Sequence, residues 1–152
     1  MTMFAKAFCC IWFIMLASMG TAKAQVFVTS PVNSSTPPKP IFIVDSDPAS
    51  PTFNSVTSTV DDNQLRWPVS IAFSPDGAYA YLTGDVPGIQ VVNLLFNSVD
   101  GFIDTGFTGL EGSTPMDVGP DGTGYVVGGG LVNPRVVVVN TLDRSIVATI
   151  PL

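Results

Sequence analysis

Histidine is absent from the chain, and both cysteines, Cys9 and Cys10, lie in one apolar run near its start. Beyond that run there is neither an imidazole nor a thiol. Serine triads, cysteine nucleophiles and the usual zinc sites need one or the other, and acid–base catalysis near neutral pH uses histidine or a tuned carboxylate. These absences favour a protein that is not an enzyme.

Charged residues are also scarce, because only 12% of the chain is Asp, Glu, Lys or Arg. After residue 24, four basic side chains remain against 12 acidic ones, which gives a net charge of −8. Phosphate backbones and anionic membrane surfaces repel such a chain. Nucleic acid is therefore not an expected partner, and the acidic surface is interpreted as a source of solubility.

A helical period is missing as well. Outside the first 24 residues, no stretch of ten or more residues repeats its apolar side chains with a helical spacing. The 13 prolines and 14 glycines instead separate short runs of β-branched and aromatic residues, such as 41–44, 79–82 and 136–139. Runs of this kind between turn residues are typical of strands. The sequence therefore predicts an all-β fold.

The first 24 residues differ from the rest. Residues 1–6 carry one positive charge, residues 7–19 form an apolar run, and Ala22 and Ala24 are the small residues that a signal peptidase reads. A membrane anchor is the alternative, but a spanning helix needs about 20 apolar residues, more than this run supplies. We predict a signal peptide over 1–24 that is cleaved after Ala24. The remaining protein is expected to be secreted or periplasmic, without a membrane span.

The later part of the chain repeats itself. Pro-Asp-Gly at 75–77 recurs at 120–122, and a strand that contains Tyr81 or Tyr125 follows each copy. A Gly/Pro loop, an apolar strand that ends in Asn, a turn and a last strand complete both copies. Four strands at a period of about 40–45 residues are typical of β-propeller blades. The two tyrosines are expected to pack between blades.

A third copy lies upstream and is incomplete. The runs between residues 26 and 60 correspond to the last three strands of a blade, whereas the opening strand and the Pro-Asp-Gly turn are missing. We therefore expect a partial β-propeller over 25–152, with about two and three-quarter blades of four antiparallel strands. Its repeats are placed at about 26–64, 68–110 and 115–152.

Two stretches resemble a known family. PVSIAFSPDGAYAYLTG (68–84) and VVVVNTLDRSIVATIP (136–151) are similar to the YVTN-type β-propeller repeat of exported and cell-surface proteins, although the Asn of the Tyr-Val-Thr-Asn strand end is Ser30, Gly84 and Gly128 here. The resemblance implies a binding or surface scaffold, with no catalytic set to carry over. Some exported propellers like this one are lactonases or dehydrogenase subunits. A fragment of a lactonase-like hydrolase or of a periplasmic dehydrogenase subunit is therefore the alternative.

The Asp and Asn residues of the repeat are predicted to be structural. In a Pro-Asp-Gly turn the proline presets φ, the aspartate bonds to the turn backbone and the glycine supplies a positive φ. Asp76 and Asp121 are therefore assigned to turns and not to catalysis. Asp45, Asn93 and Asn140 end the third strand of each copy, where such a side chain can accept a hydrogen bond from the following turn.

A ligand is expected at one end of the blades. The loops between the second and third strands emerge at the same end as the segments that lead from one blade to the next, and these connections hold most of the unassigned charged residues. The candidate ligand face comprises Asp61, Asp62, Arg66, Trp67, Asp85 and Arg135. The alternative is a solvated acidic loop in which Trp67 is half buried under Pro68.

Neither a cofactor nor a metal site is predicted. The glycines at 128–130 lead into a strand, whereas phosphate-binding glycine loops open a helix. Calcium takes six to eight oxygen ligands, and Asp61, Asp62 and Asn63 supply at most a few, without the Asp-x-Asp-x-Asp-Gly spacing. The expected partner is a protein or a cell-surface ligand.

The number of blades is low for a closed ring. Propellers typically close with about four to eight blades, and the first strand of the opening blade, which would fasten a ring, is missing here. The sequence predicts the N-terminal part of a longer propeller, or an arc that self-associates through its open blade edges.

Overall fold

The computed structural model describes residues 25–29, 40–65, 68–84, 88–107, 115–130 and 133–152. Within these ranges the chain forms eleven strands and no helix. The predicted signal peptide lies outside the described residues. No helix in the described part is long and apolar enough to span a bilayer.

The strands form three antiparallel sheets, which we call blades 1, 2 and 3. Blade 1 consists of β1 (Gln25–Thr29), β2 (Ile41–Asp45) and β3 (Val56–Val60). Blade 2 consists of β4 (Pro68–Phe73), β5 (Tyr79–Gly84), β6 (Gly88–Asn93) and β7 (Ser98–Asp104). Blade 3 consists of β8 (Met116–Val118), β9 (Thr123–Gly128), β10 (Arg135–Asn140) and β11 (Ser145–Pro151). The prediction of an all-β fold built of antiparallel blades is confirmed, and blade 1 has three strands among the described residues.

Each blade is a meander, because every strand pairs with the next strand in the chain. Successive side chains of a strand point to opposite faces, so each blade has two faces. We call the face toward the following blade its front face and the face toward the preceding blade its back face.

Two apolar clusters join the three blades. The first lies between the front face of blade 1 and the back face of blade 2, and contains Phe27, Ile41, Ile43, Val60, Leu65, Ile71, Phe73, Ala80, Leu82 and Val92. The second lies between the front face of blade 2 and the back face of blade 3, and contains Ala72, Tyr81, Ile89, Val91, Ile103, Phe107, Met116, Val126, Val137 and Val139. A fully buried aliphatic or aromatic side chain contributes about 1.5–3 kcal/mol, so these clusters dominate the stability of the arc.

The two Pro-Asp-Gly turns have the predicted structure. The Ala78 N–H donates to Asp76 Oδ1 (3.0 Å), and the Thr123 N–H donates to Asp121 Oδ1 (3.0 Å). Gly77 has a φ of 71° and Gly122 a φ of 81°, a region that favours glycine. The assignment of both aspartates to turns is confirmed.

The residues that end the third strand of each blade also act as predicted. Asp45 accepts a hydrogen bond from the Asp47 N–H, Asn93 from the Leu95 N–H, and Asn140 from the Leu142 N–H, each at 2.9 Å. These turns, together with the two Pro-Asp-Gly turns, lie at one end of the blades, the turn end. The connections from β5 to β6, from β9 to β10 and from blade to blade leave from the opposite end, the loop end.

The expectation that both repeat tyrosines pack between blades is correct for one of them. Tyr81 is 2% exposed and belongs to the cluster between blades 2 and 3. For Tyr125 the expectation is wrong, because its side chain is 49% exposed. Tyr125 lies on the front face of blade 3, and no described residue forms a further blade over that face.

Candidate functional site

The segment after β3 is held against blade 2. The N–H groups of Gln64 and Val99 donate to Asp62 Oδ1 (2.8 Å) and Oδ2 (2.9 Å). The Gln90 side-chain amide donates to the Gln64 carbonyl oxygen (2.7 Å), and Leu65 is fully buried. Because Val99 lies on β7 and Gln90 on β6, the segment crosses blade 2 from its outer strand toward its inner strand.

These contacts give Asp62 a structural role. Hydrogen bonds from the backbone N–H groups of Gln64 and then Val99 lower the pKa of the Asp62 carboxyl below 3.8, because they favour the charged form. Both carboxylate oxygens are engaged inside the protein. Asp61, by contrast, is exposed and directly follows β3.

Arg135 spans the loop end of the junction between blades 2 and 3. It opens β10, and its Nη2 donates to the carbonyl oxygen of Gly106 (2.8 Å), beyond the end of β7. Its guanidinium carbon lies 4.7 Å from the ring centre of Phe107, within the range of a cation–π contact. The cation therefore links the start of β10 to the segment that leaves blade 2.

The Phe107 ring, on which the Arg135 guanidinium lies, is closely packed against Gly128. Phe107 is 7% exposed, and a Cβ added to Gly128 would lie 2.5 Å from the Phe107 ring. Glycine at this strand end, where the resembling family has asparagine, therefore makes room for the ring. Nearby in the chain, Thr105 is 4% exposed, and its hydroxyl has no hydrogen-bond partner among the described residues.

The structure describes three of the six predicted ligand residues, and these three lie at two different blade junctions. Asp61 and Asp62 lie at the junction of blades 1 and 2, and Arg135 lies at the junction of blades 2 and 3. The other three residues, Arg66, Trp67 and Asp85, lie outside the described residues. The common ligand face therefore stays a prediction, with Asp61 and Arg135 as its two described members whose charged groups reach the surface.

Sequence reasoning missed a cleft at the turn end. This cleft lies between blades 2 and 3 and has a volume of about 280 Å³. It is lined by Ser74, Pro75, Asp76, Tyr79, Tyr81, Val91, Pro120, Asp121, Gly122, Thr141, Leu142 and Arg144. The recurring Pro-Asp-Gly turns were a usable signal, because they place Asp76 and Asp121 at the same end of neighbouring blades.

The charges around the turn-end cleft are mostly paired within the protein. The Ser74 hydroxyl, and then the Ala78 N–H, lower the pKa of Asp76. The Thr123 N–H and hydroxyl lower that of Asp121. Arg144 donates to the backbone carbonyl (2.7 Å) and the carboxylate of Asp100 on blade 2.

A second, wider cavity of about 510 Å³ lies between the inner strands β4 and β8. Its lining residues run from Ser70 to Pro75 on one side and from Met116 to Pro120 on the other. Within the described ranges, no group of three or more Cys, Asp, Glu or His side chains is placed to hold a metal ion.

The fold is similar to that of solved β-propellers. The WD40 repeats of RRP9 match at a TM-score of 0.59 and 14% identity over 83% of this chain and 34% of that one. U3-55K matches at 0.59 and 14% identity over 83% and 35% of the two chains. Apo AztD from Citrobacter koseri matches at 0.58 and 13% identity over 90% and 37%. WD40 repeats are propeller blades, so the propeller fold is shown.

The chain covers only 34% to 37% of the length of these solved structures. No protein-family model matches it, and no curated protein is similar to it. The resemblance to the YVTN-type repeat therefore stays a resemblance. The described residues of the chain form three consecutive blades of β-propeller fold.

Proposed function

We propose that the protein is an exported β-propeller scaffold that binds a protein or cell-surface ligand at the loop end of its blades. The propeller fold supports this proposal, because it holds connecting segments at fixed positions on rigid sheets, and such segments commonly carry binding residues. Asp61, Arg66, Trp67, Asp85 and Arg135 are the proposed contact residues. Asp62 is proposed to hold the segment of Asp61 in place.

The proposal rests on the arrangement of side chains at the loop end of the junction between blades 2 and 3. Here the cation of Arg135 is positioned by Gly106 and Phe107, while the buried hydroxyl of Thr105 lacks a partner in the described part of the chain. A buried polar group without a hydrogen bond costs about 1–3 kcal/mol. A ligand group that bonded to the hydroxyl would offset this cost, which supports this junction as the place for contact. The other buried polar atom without a partner among the described residues, Asn97 Oδ1, lies at the turn end.

A random peptide library displayed on phage tests the proposal. Peptides selected on the immobilised full chain are expected to lose at least tenfold in affinity for Arg135→Ala and for Thr105→Val. The Thr105→Val change removes the unpartnered hydroxyl, so it leaves the free energy of unfolding unchanged or raised. Phe53→Ala, at an exposed site of the turn end, is the matched control and should bind normally. Peptides that bind all variants equally, or a selection that enriches none, would contradict the proposal.

A separate assay, the hydrolysis of a lactone, tests the alternative that the chain is a fragment of a lactonase-like enzyme. The same variants, together with Asp61→Ala and Trp67→Ala, are assayed for hydrolysis of a simple γ-lactone. The scaffold proposal predicts no turnover above that of a mock purification. Turnover by the wild-type chain that falls with Asp61→Ala or Trp67→Ala would replace the scaffold with an enzyme.

Export is tested at the N-terminus. Expression of the full chain in a bacterium with a periplasm is expected to give a periplasmic product whose first residue is Gln25, because cleavage is predicted after Ala24. N-terminal sequencing of fractionated cells measures this. A cytoplasmic product that begins at Met1 would contradict the export part of the proposal and leave the ligand-binding part standing.

A further inference from the structure

We infer that the front face of blade 3 is a docking surface for the back face of blade 1 in a second copy of the chain. Two such contacts would join two three-bladed arcs into one six-bladed ring. This inference goes beyond the proposed ligand site and does not depend on it. It follows from the register of the strands and from the exposed fractions of the two terminal faces.

The front face of blade 3 repeats the front face of blade 2 position by position. In blade 2, Tyr81 pairs with Val91, which pairs with Gly101. In blade 3, Tyr125 pairs with Val138, which pairs with Ala148. One row closer to the loop end, Thr83, Ile89 and Ile103 of blade 2 correspond to Val127, Val136 and Ile150 of blade 3.

These equivalent faces differ in what covers them. Tyr81 and Ile103 are each 2% exposed, because blade 3 packs on them. Their counterparts Tyr125 and Ile150 are 49% and 48% exposed. Large apolar side chains that are exposed in this way mark an interaction site. The internal junction shows the kind of surface that fits it, namely the back face of another blade.

The back face of blade 1 has the matching chemistry. One row is formed by Val26, Val44 and Val56, and the next by Val28, Phe42 and Thr59. None of these six side chains is charged, the four on β1 and β2 are half-buried, and Val56 is 56% exposed. The back faces of blades 2 and 3 receive the front face of the preceding blade. The back face of blade 1 has no preceding blade among the described residues.

Asp117 decides between two possible pairings of copies. It stands on the inner strand β8, paired with Tyr125, where blade 2 has Ala72 paired with Tyr81. If two blade 3 front faces met each other, two Asp117 carboxylates would approach, and like charges across an interface oppose binding. Blade 1 has no inner strand within the described residues, so its back face leaves the Asp117 carboxylate in the open centre of the ring.

The pairing of a front face with a back face is heterologous, and such contacts close when the rotation allows it. Within the described residues, each copy has one front face and one back face that no blade covers, so two copies can cover both. The resulting six blades fall within the range of about four to eight blades of known propellers.

The mass of the full chain in solution, measured by light scattering after size-exclusion chromatography, tests the inference. The wild-type chain is expected at twice the mass of a monomer. Tyr125→Asp on the front face and Phe42→Asp on the back face should each give a monomer, because both place a charge in the apolar contact. Phe96→Asp is the control, since Phe96 is a 72% exposed side chain of the β6–β7 turn and its replacement should leave the dimer intact.

An equimolar mixture of Tyr125→Asp and Phe42→Asp gives a second readout. One wild-type contact can form in the mixed pair, so a dimer should reappear even though neither variant forms one alone. A monomeric wild-type chain would overturn the inference, as would a Phe42→Asp chain that stays dimeric or a mixture that stays monomeric. Should either variant fail to fold by circular dichroism, Val127→Asp and Val56→Asp replace it at sites that are 38% and 56% exposed, with the same expectations.

Discussion

Blades 2 and 3 share a register but not an environment. Tyr81 and Tyr125 stand at equivalent positions, yet one is 2% and the other 49% exposed. The apolar character of a blade face is thus set by the repeat, whereas its burial is set by the neighbouring blade. Where the two faces differ in sequence, the neighbour explains part of the difference, because Gly101 lies under Arg144 whereas its counterpart Ala148 is exposed.

The largest expected effect separates the two tyrosines. Tyr81→Ala leaves a cavity in the second cluster and should lower the free energy of unfolding by about 3–5 kcal/mol. Tyr125→Ala should lower it by less than about 1 kcal/mol in dilute, monomeric protein, because exposed sites tolerate truncation. Urea denaturation of both variants measures the difference. Equal losses would mean that Tyr125 contributes as much to folding as Tyr81 and would contradict its exposed position.

The next largest effect on stability is expected from substitutions at Gly101 and its counterpart Ala148. Gly101 has a φ of 135°, and a Cβ there would lie 2.8 Å from Arg144 Nη1. Gly101→Ala should therefore cost about 1–3 kcal/mol through backbone strain and displacement of the arginine. The reciprocal change Ala148→Gly should cost no more than about 1 kcal/mol. Thermal unfolding of both variants tests this, and an Ala148→Gly loss as large as that of Gly101→Ala would speak against it.

The ion pair at the outer edge of the junction should contribute less. Arg144 and Asp100 join blades 3 and 2, but their side chains are 35% and 42% exposed. A double-mutant cycle with Arg144→Ala and Asp100→Ala is expected to give a coupling energy of about 1 kcal/mol or less. The coupling should shrink further in about 1 M salt, because exposed charges are screened. A larger, salt-independent value would mean that the junction depends on charge more than on the apolar cluster.

The smallest effect concerns pH. Hydrogen bonds from the Ser74 hydroxyl and the Ala78 N–H lower the pKa of Asp76 below 3.8, so the folded state binds fewer protons there than the unfolded state. This stabilisation is fully present well above pH 3.8 and is lost as the pH falls through the lower folded-state pKa. Asp76→Asn should therefore flatten the loss of stability below about pH 4. Urea midpoints measured across that range test it, and an unchanged acid limb would contradict it.

Much of the fold was predictable, because its signals are local. Pro-Asp-Gly fixes a turn through its own backbone preferences, and Asn93 or Asn140 bonds to the next turn within two residues. The alternation of side chains along 79–84 then gives the faces. The burial of each face was less predictable. The residues around Tyr125 resemble those around Tyr81, so the local sequence does not show whether another blade covers the Tyr125 side chain.

The candidate site was less predictable, because its contacts join residues far apart in the chain. From the sequence, Asp62 is a carboxylate in a loop. In the structure, its Oδ2 accepts a hydrogen bond from the N–H of Val99, which lies on the next blade. Arg135 donates a hydrogen bond to the carbonyl oxygen of Gly106 across a blade junction. Chain spacing places both residues near the loop end, but only the packing of the blades shows which groups are left for a ligand.

Nitration of the three tyrosines, followed by peptide mass spectrometry, measures how far each ring is exposed in the folded protein. In dilute protein, Tyr125 should be modified rapidly and Tyr81 spared, because burial both shields the Tyr81 ring and raises its pKa, which keeps the reactive phenolate scarce. Raising the protein concentration should protect Tyr125 as the second copy docks. Nitration of Tyr81 as fast as Tyr125 in dilute, folded protein would contradict the packing of blade 3 on blade 2.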